Sequence, residues 1–283
     1  MKIFSTTIYS SQWQAVAFCA LMTLALTACE ADTAQTLEQR NWQLTWSDEF
    51  DGPAGQSPDA AKWTFDIGTG SNGWGNQELQ YYTNRPENAS LDGQGNLVIT
   101  ARRETFAGSP FTSARLKTQG LFEQAYGRFE ARLKTPYGPG IWPAFWLLGA
   151  NITTVNWPQC GEIDIMELRG QEPNLINGTV HGPGYSGGSA ITQGFGSTDR
   201  RFDADFHLFA IEWGKDYIDY FVDNTLYLRL TPDKLPGEWV YDHPFFIIMN
   251  VAVGGNYVGF PTSLTPFPQQ MTIDYVRVYQ EAN

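Results

Sequence analysis

The chain has 283 residues, of which 42% are hydrophobic and 14% aromatic, so it is long enough to bury a full core as one folded domain. Its formal net charge of −12 argues against nucleic acid or another polyanion as a partner. The three cysteines, Cys19, Cys29 and Cys160, provide no disulfide framework.

The N-terminus has the pattern of an export signal. Its only charge before residue 29 is Lys2, and the apolar stretch Ala15–Leu26 is too short for a membrane span but typical of a signal-peptide core. The segment ends in LTAC, which resembles the bacterial lipobox, where the cysteine is lipidated and becomes the mature N-terminus. We therefore expect a lipoprotein signal peptide over residues 1–28, with Cys29 as the lipid anchor; an ordinary signal peptide cleaved near Ala28 is the alternative.

The residues that follow the signal peptide indicate where in the cell the protein is located. We expect residues 29–41 to be a tether, and no later segment is apolar enough to span a membrane. Glu30 stands where an aspartate would resemble an inner-membrane retention signal, which favours an outer-membrane lipoprotein in a Gram-negative source. We thus expect an exported monomer that touches the membrane only through its anchor.

The body of the chain reads as β-structure. Gly and Pro punctuate short segments of alternating polarity, and no amphipathic pattern is long enough for a substantial helix. Asp223 and Asn224 tolerate a positive φ, so the stretch 217–230 predicts a hairpin. Further strands are predicted in NLVITARR (96–103), YGRFEARLKT (126–135), HLFAIEW (207–213), FFIIMNVAV (245–253) and MTIDYVRVY (271–279). Many short strands joined by turns predict an all-β antiparallel sandwich or barrel.

The segment CGEIDIMELRG, residues 160–170, concentrates three carboxylates in an apolar strand. With a period of two, Glu162 and Asp164 share one face and the isoleucines beside them face the core. Glu167 would then point into the core, where an unpaired charge is very costly. We therefore predict a β-bulge at Ile165–Met166 that returns Glu167 to the carboxylate face.

Such a cluster suits glycoside hydrolysis. A retaining glycosidase needs a nucleophile and an acid/base about 5 to 5.5 Å apart, with the pKa of the acid raised. Asp164 can share a proton or hydrogen bond with Glu162. A cation site or an exposed acidic strand is the alternative, although carboxylates about 7 Å apart along a strand suit calcium poorly. Cys160 has no histidine near it in sequence, so a buried structural thiol is favoured over a nucleophile.

Aromatic residues support a sugar ligand. In GIWPAFWLLG, Trp142 and Trp146 fall on one strand face and would form stacking platforms for a linear sugar chain; packing in the core is the alternative. Trp157 and the Gly-rich stretch 70–82 add aromatic and amide groups that can form a cleft wall.

GEIDIMELRG, with GIWPAFWLLG before it and NGTVHGPGYSGG after it, resembles family 16 glycoside hydrolases, in particular the bacterial laminarinase-type endo-1,3-β-glucanases. The resemblance implies a catalytic domain over residues 42–283 folded as a β-jelly-roll of two curved sheets with a concave substrate cleft. By that resemblance Glu162 is the nucleophile, Asp164 an assisting acid and Glu167 the general acid/base. Met166 is the extra residue of the family's bulged branch, which includes laminarinases, agarases and carrageenases.

The resemblance also implies binding residues. His181 would form hydrogen bonds in the cleft, with a structural histidine as the alternative, and Arg115 and Asn76 are weaker candidates for substrate contacts. Catalysis would need no cofactor. Many family members hold a structural calcium ion on the convex side, bound by an aspartate and by main-chain oxygens; the corresponding residues here are Asp274 for the side chain, and Glu49 and Gly93 for the main-chain oxygens. Asp274 would share a strand face with Val276 and Val278, where an unpaired charge is unfavourable.

The function implied is a retaining endo-hydrolase of 1,3-β-glucans such as laminarin. Two alternatives stay open at this point. One keeps the enzyme and changes the substrate to mixed-linkage glucan or a galactan such as agarose. The other is a non-catalytic glucan-binding module, which is disfavoured because all three acidic residues of the motif are present.

Overall fold

The computed structural model describes residues 40–196, 198 and 200–282. This part of the chain contains seventeen strands and four short helical turns, and no α-helix. The strands are β1 Trp42–Asp48, β2 Thr64–Phe65, β3 Gln80–Tyr82, β4 Ala89–Leu91, β5 Leu97–Phe106, β6 Ser109–Ser113, β7 Arg115–Lys117, β8 Gly127–Lys134, β9 Ile141–Gly149, β10 Glu162–Leu168, β11 Leu175–His181, β12 Ile191–Gly196, β13 His207–Gly214, β14 Tyr217–Val222, β15 Thr225–Leu230, β16 Phe245–Val253 and β17 Gln269–Glu281. The helical turns are Gly73–Gln77, Ala150–Thr153, Gly187–Ser189 and Pro232–Lys234.

The strands form two sheets. A ten-stranded sheet has the order β15-β14-β13-β8-β17-β5-β6-β3, with β1 paired to β17 and β4 to β5. A seven-stranded sheet has the order β12-β11-β10-β9-β16-β7-β2. Strand pairs are antiparallel apart from β3 with β6, and apolar side chains from both sheets join one core. The predicted all-β sandwich is confirmed.

Each strand predicted from the alternation of polarity is present. The hairpin turn lies where it was expected, between β14 and β15, and Asp223 and Asn224 have φ of 49° and 65°. β16 lies inside the smaller sheet, between β9 and β7, and every one of its residues is buried. That explains why its sequence is almost continuously apolar instead of alternating.

The part of the chain that the structure describes begins at Arg40, and this residue already contacts the larger sheet. Arg40, which the sequence places in the tether, lies 3.3 Å from a carboxylate oxygen of Glu212 and 4.4 Å from the ring centroid of Tyr217. The signal peptide and the anchor residue Cys29 lie outside the described residues. Within the part of the chain that is described, no helix is long and apolar enough to cross a membrane.

The predicted strand face of Asp274 is wrong. Val276 and Val278 are fully buried, but Asp274 is half-buried and its carboxylate pairs with Arg132 at 2.5 Å. A register shift between Ile273 and Tyr275 in the β17–β8 pairing turns Asp274 away from the valines. The charge is therefore paired outside the core, and simple alternation along β17 could not show it.

Candidate active site

β10 presents its three carboxylates on one face because the strand is bulged. Against β11, two residues, Ile165 and Met166, oppose the single residue Gly178, and both of their side chains are buried. The extra residue returns Glu167 to the face of the other two carboxylates, which avoids burying its charge in the core. The predicted bulge is confirmed.

The three carboxylates open into a cavity of about 1030 Å³. We call it the carboxylate cavity and define it by its lining. All the catalytic and substrate-binding residues predicted from the sequence lie on its wall, namely Asn76, Arg115, Trp142, Trp146, Trp157, Glu162, Asp164, Glu167 and His181. The core-packing alternative for the tryptophans is therefore wrong.

A row of residues crosses the sheet at the level of Glu167. The strand registers place Glu167 opposite Ala144, Ala144 opposite Asn250 and Asn250 opposite Arg115. Three strand spacings separate the ends of this row, which is on the order of 14 Å. An extended ligand lying across the strands would therefore meet both the acidic cluster and Arg115.

Glu162 is the most accessible of the three carboxylates, with 18% of its side chain exposed. The indole Nε1–H of Trp157 donates to Glu162 Oε2 at 2.7 Å. The Nε2 atom of His181 lies 3.7 Å from Glu162 Oε1. The Trp157 hydrogen bond, together with the charge of His181 when its ring is protonated, stabilises negative charge on a carboxylate that faces the cavity.

Asp164 and His181 form a buried pair beside Glu162. His181 Nε2 lies 3.2 Å from Asp164 Oδ2, and Asp164 is only 3% exposed. Burial raises the pKa of Asp164 well above its usual range, and the charges of Glu162 and Glu167 raise it further. Burial alone would lower the pKa of His181, but the contact with Asp164 and the surrounding negative charge raise it to about 9.

The backbone fixes which nitrogen of His181 carries a proton. The Gly187 N–H donates to His181 Nδ1 at 3.1 Å, so a neutral ring must keep its proton on Nε2. The imidazolium also carries a proton on Nε2, but its Nδ1–H could not accept from Gly187, so this backbone contact favours the neutral ring whereas the surrounding carboxylates favour the charged one. Ligand atoms of Glu162, Asp164 and His181 lie within 4.8 Å of one another, close enough for a cation. A proton on Nε2 instead favours hydrogen bonding to the carboxylates over metal coordination.

Glu167 is buried, with 8% exposure, and is held from two sides. The indole Nε1–H of Trp142 donates to Oε1 at 3.0 Å, and the Thr179 hydroxyl donates to Oε2 at 3.4 Å. Burial raises the pKa of Glu167 to about 7. A carboxylic acid that keeps its proton near neutral pH is suited to protonate a leaving oxygen.

Arg115 forms part of the cavity wall on the far side of β9. Its guanidinium lies 4.8 Å from the ring centroids of both Trp74 and Trp146, and it pairs with Asp66 at 2.9 Å. Trp146 also donates its indole N–H to Asn250 at 2.8 Å. Trp146 is therefore held in place by its neighbours before any ligand binds.

Among the wall residues that were not singled out from the sequence are Glu78, Arg169, Asn250 and Tyr257. A signal was present for two of them. Asn250 is the only polar residue in FFIIMNVAV, and Arg169 lies two positions after Glu167 on the same strand face. Tyr257 packs on Trp142 with ring centroids 5.0 Å apart, and nothing in its local sequence indicates this contact.

The proposed calcium ligands are placed outside this cavity. Glu49 makes two hydrogen bonds to Arg277, at 3.0 and 2.8 Å, and Asp274 is paired with Arg132. Gly93 lies in a left-handed turn with φ of 77°. The carboxylate of Asp274, the side-chain ligand of the prediction, is thus paired with an arginine, whereas the main-chain oxygens expected from Glu49 and Gly93 are not involved in these ion pairs; the ion stays a prediction.

Cys160 is a buried free thiol. Burial, with a smaller contribution from the charge of Glu162, raises its pKa to about 11. A protonated thiol is a poor nucleophile, which agrees with the prediction that Cys160 is a buried structural residue.

A two-sheet sandwich that combines a carboxylate cluster with indoles and amides in one cavity defines a glycoside hydrolase. The family model for glycosyl hydrolases family 16 matches residues 76–277. The chain is 45% identical over 251 residues to a beta-glucanase from Rhodothermus marinus, covering 85% of this chain and 86% of that protein.

Solved structures agree with this assignment. The catalytic domain of an endo-1,3-beta-glucanase (laminarinase) from Thermotoga petrophila is 49% identical, with a TM-score of 0.81 over 87% of this chain and 100% of that chain. An endo-beta-1,3-glucanase from Pyrococcus furiosus is 46% identical, with a TM-score of 0.82 over 87% and 97%. The protein therefore belongs to glycosyl hydrolases family 16, and its fold is the β-jelly-roll of that family.

Removing the indole donor to Glu167 should shift the alkaline limb of activity. The Trp142 N–H favours the ionised form of Glu167, so Trp142→Phe should raise the pKa of this acid above about 7. The protonated acid would then persist to higher pH. The measurement is kcat/KM against pH, which reports groups of the free enzyme. A limb that stays in place or moves to lower pH would contradict this role for Trp142.

The raised pKa of Glu167 should also cost stability. Its value is about 7 in the folded protein against an ordinary 4.5, so the ionised carboxylate opposes folding increasingly from pH 4.5 to pH 7 and fully above that. Glu167→Gln should therefore stabilise the protein at pH 8 by up to about 3 kcal/mol and have little effect at pH 4. Urea unfolding at both pH values measures this.

Glu87→Gln makes the same chemical change at an exposed site and is the matched control. An equal effect of Glu167→Gln at pH 4 and pH 8 would show that ionisation of Glu167 is not the cause.

Proposed function

We propose that the protein is an endo-1,3-β-glucanase of the laminarinase type that cleaves its substrate with retention of configuration. The observation that carries the proposal is the pair formed by Glu162 and Glu167 on one bulged strand. Glu162 is accessible and accepts a hydrogen bond from Trp157, whereas Glu167 is buried with a pKa raised to about 7. The two carboxyl groups thus differ in the way that a nucleophile and an acid must differ.

In the first step Glu162 attacks the anomeric carbon. Glu167 gives its proton to the glycosidic oxygen, the bond to the leaving sugar breaks, and a glycosyl-enzyme ester forms on Glu162. In the second step Glu167 takes a proton from water, the water oxygen bonds to the anomeric carbon, and Glu162 leaves as a carboxylate. Both steps use only side chains of this protein, so catalysis needs no cofactor.

Asp164 and His181 support this cycle by moving charge next to Glu162. Esterification removes one negative charge from the cluster, and the buried Asp164–His181 pair, 3.2 Å apart, can adjust its shared proton in response. Asp164 therefore acts as the assisting acid, and His181 orients Asp164 and lies close enough to Glu162 to influence its charge.

The substrate assignment is supported by the relatives, whose names specify beta-glucanase or endo-1,3-beta-glucanase activity. It is also supported by the row of residues from Glu167 to Arg115. An extended polysaccharide could contact this row across several strands. Internal cleavage is supported by the names of two solved relatives, both of which specify an endo-acting glucanase. Laminarin, mixed-linkage glucan, agarose and carrageenan compared side by side test this specificity, and release from a galactan alone would overturn it.

The roles of the two glutamates can be separated by chemical rescue. With an aryl β-glycoside of a 1,3-linked glucose oligomer as substrate, Glu162→Ala and Glu167→Ala should each lose more than about 10³-fold in activity. Azide should rescue both variants. It replaces the nucleophile in Glu162→Ala and yields the α-glycosyl azide, whereas in Glu167→Ala it attacks the glycosyl-enzyme and yields the β-glycosyl azide.

Proton NMR of the anomeric centre distinguishes the two products. Exchanged products would reverse the two assignments, and wild-type activity in Glu162→Ala would remove Glu162 from the mechanism. Laminarin binding by Glu162→Gln serves as the control that the cavity is intact.

We also propose that the protein is exported and anchored through a lipid on Cys29, with residues 1–28 removed. Support comes from the short apolar stretch before LTAC and from the single charge in that segment. When the full chain is expressed in a bacterium fed labelled palmitate, the label should enter the wild type and be absent from Cys29→Ser. Label in neither protein would favour an ordinary signal peptide.

A further inference from the structure

A fourth carboxylate, Glu78, lines the carboxylate cavity away from β10. It directly follows the helical turn Gly73–Gln77 and precedes β3. The mechanism above does not use it. It is nevertheless largely buried, and burial raises its pKa above the usual range, although its hydrogen-bond donors and the charge of Arg115 oppose the rise.

Glu78 accepts hydrogen bonds from three side chains. Asn76 Nδ2 donates to Oε1 at 3.2 Å, while Gln80 Nε2 and the Tyr82 hydroxyl donate to Oε2 at 2.7 and 3.3 Å. An ionised carboxylate only accepts, so each of these neighbours must present a donor. The carboxylate therefore decides which way the two amide groups are turned.

For Asn76 the consequence concerns the ligand. Asn76 uses its amide nitrogen on Glu78, so its amide oxygen is left for the cavity that Asn76 lines. A sugar hydroxyl can donate to that oxygen. If the amide were reversed, the cavity would meet an N–H donor there, and the hydrogen-bond pattern offered to a sugar ring would change.

For Gln80 the consequence concerns the scaffold. Gln80 is fully buried, and its amide oxygen accepts from the Val253 N–H at 2.7 Å while its nitrogen donates to Glu78. The backbone adds a bond from Leu79 N–H to Val253 O at 2.8 Å. Glu78 is thereby linked to the end of β16, the strand that carries Asn250 in the cavity wall.

The segment before Glu78 needs such support. Asn72, Trp74 and Gln77 all have left-handed φ values, of 52°, 54° and 60°. This conformation is costly for residues with a Cβ, above all for a bulky one such as Trp74, and persists only where surrounding contacts enforce it. Trp74 is the residue that covers one side of Arg115.

We propose that Glu78 is a positioning residue for substrate binding. It turns the Asn76 amide oxygen toward the ligand and holds the strained segment 72–77 as the wall of a sugar subsite on the Arg115 side of the catalytic pair. This inference rests on the proposed function, since it assigns a sugar subsite of the same cavity. Glu78 does not touch the reacting atoms, so it affects how the chain is held and not how the bond is broken.

The test uses Glu78→Gln, which keeps size and shape but replaces one acceptor oxygen with a donor NH₂. The new NH₂ group must point either at Asn76 Nδ2 or at Gln80 and Tyr82. In either orientation two hydrogen-bond donors face each other. We expect KM for 1,3-linked glucan oligomers to rise about tenfold with kcat within about threefold. Glu87→Gln, the same change at an exposed position, should leave both constants unchanged.

A compensating variant identifies the cause. In Asn76→Asp combined with Glu78→Gln, the new amide donates to the new carboxylate, and an acceptor oxygen still faces the cavity. We expect this double variant to recover most of the lost KM. If Glu78→Gln alone fails to fold, the double variant takes its place in the kinetic test, and near-native KM in it supports the proposal.

Three results would overturn the inference: an unchanged KM in Glu78→Gln, a loss confined to kcat, or a lowered melting temperature with no change in KM. Failure of the proposed function is recognised separately. Calorimetric titration of Glu162→Gln, with and without Glu78→Gln, measures glucan binding without turnover. If Glu162→Gln itself binds no 1,3-glucan, the substrate assignment fails; if it binds and the added change does not weaken binding, only the role of Glu78 fails.

Discussion

The repulsion among three carboxylates on one strand is the constraint around which this site is built. Burial raises the pKa of both Asp164 and Glu167, and the negative charge of Glu162 also acts to raise the pKa of each. Such a cluster opposes folding, so it survives only because the rest of the sandwich supplies a large buried core and local donors. The unfavourable free energy of burying these carboxylates falls on the groups that must hold a proton near neutral pH, and this raised pKa is what catalysis uses.

The donors that stabilise the cluster come mainly from indoles. Trp157 donates to Glu162 and Trp142 donates to Glu167, so a tryptophan expected in the cleft wall and one expected as a stacking platform also orient the reacting groups. Trp146 donates to Asn250 and packs against Arg115. In each case the polar edge of the indole is fixed by the protein, which sets the orientation of the ring before a sugar arrives.

The cavity is assembled from elements that are far apart in the chain. β10 lies between β9 and β11 in the smaller sheet, and β16 and β7 follow beyond β9. This order brings Arg115, from an early strand, into line with Asn250 and Glu167. Glu78 joins the same wall through the end of β16, so the acidic strand and the wall that faces it are parts of one hydrogen-bonded framework.

Much of the site was predictable because its chemical groups lie within a few residues of one another in the sequence. The spacing of Glu162, Asp164 and Glu167 required a bulge once the cost of burying a charge was considered, and the bulge is present. Periodicity likewise indicated the hairpin at Asp223 and the two tryptophans on one face of β9. The same reasoning failed for Asp274, because an irregularity between Ile273 and Tyr275 depends on the partner strand and leaves no mark in the alternation.

The sequence by itself thus determined the class of fold, the catalytic strand and the facing of its carboxylates, since these follow from a period of two and from electrostatics within a few residues. Only the tertiary structure decided which distant residues complete the cavity. The contact of Trp142 with Tyr257, the bond from Trp146 to Asn250 and the network around Glu78 join segments that share no local pattern. They depend on strand order and register, which are set by packing of the whole sandwich and not by any one segment.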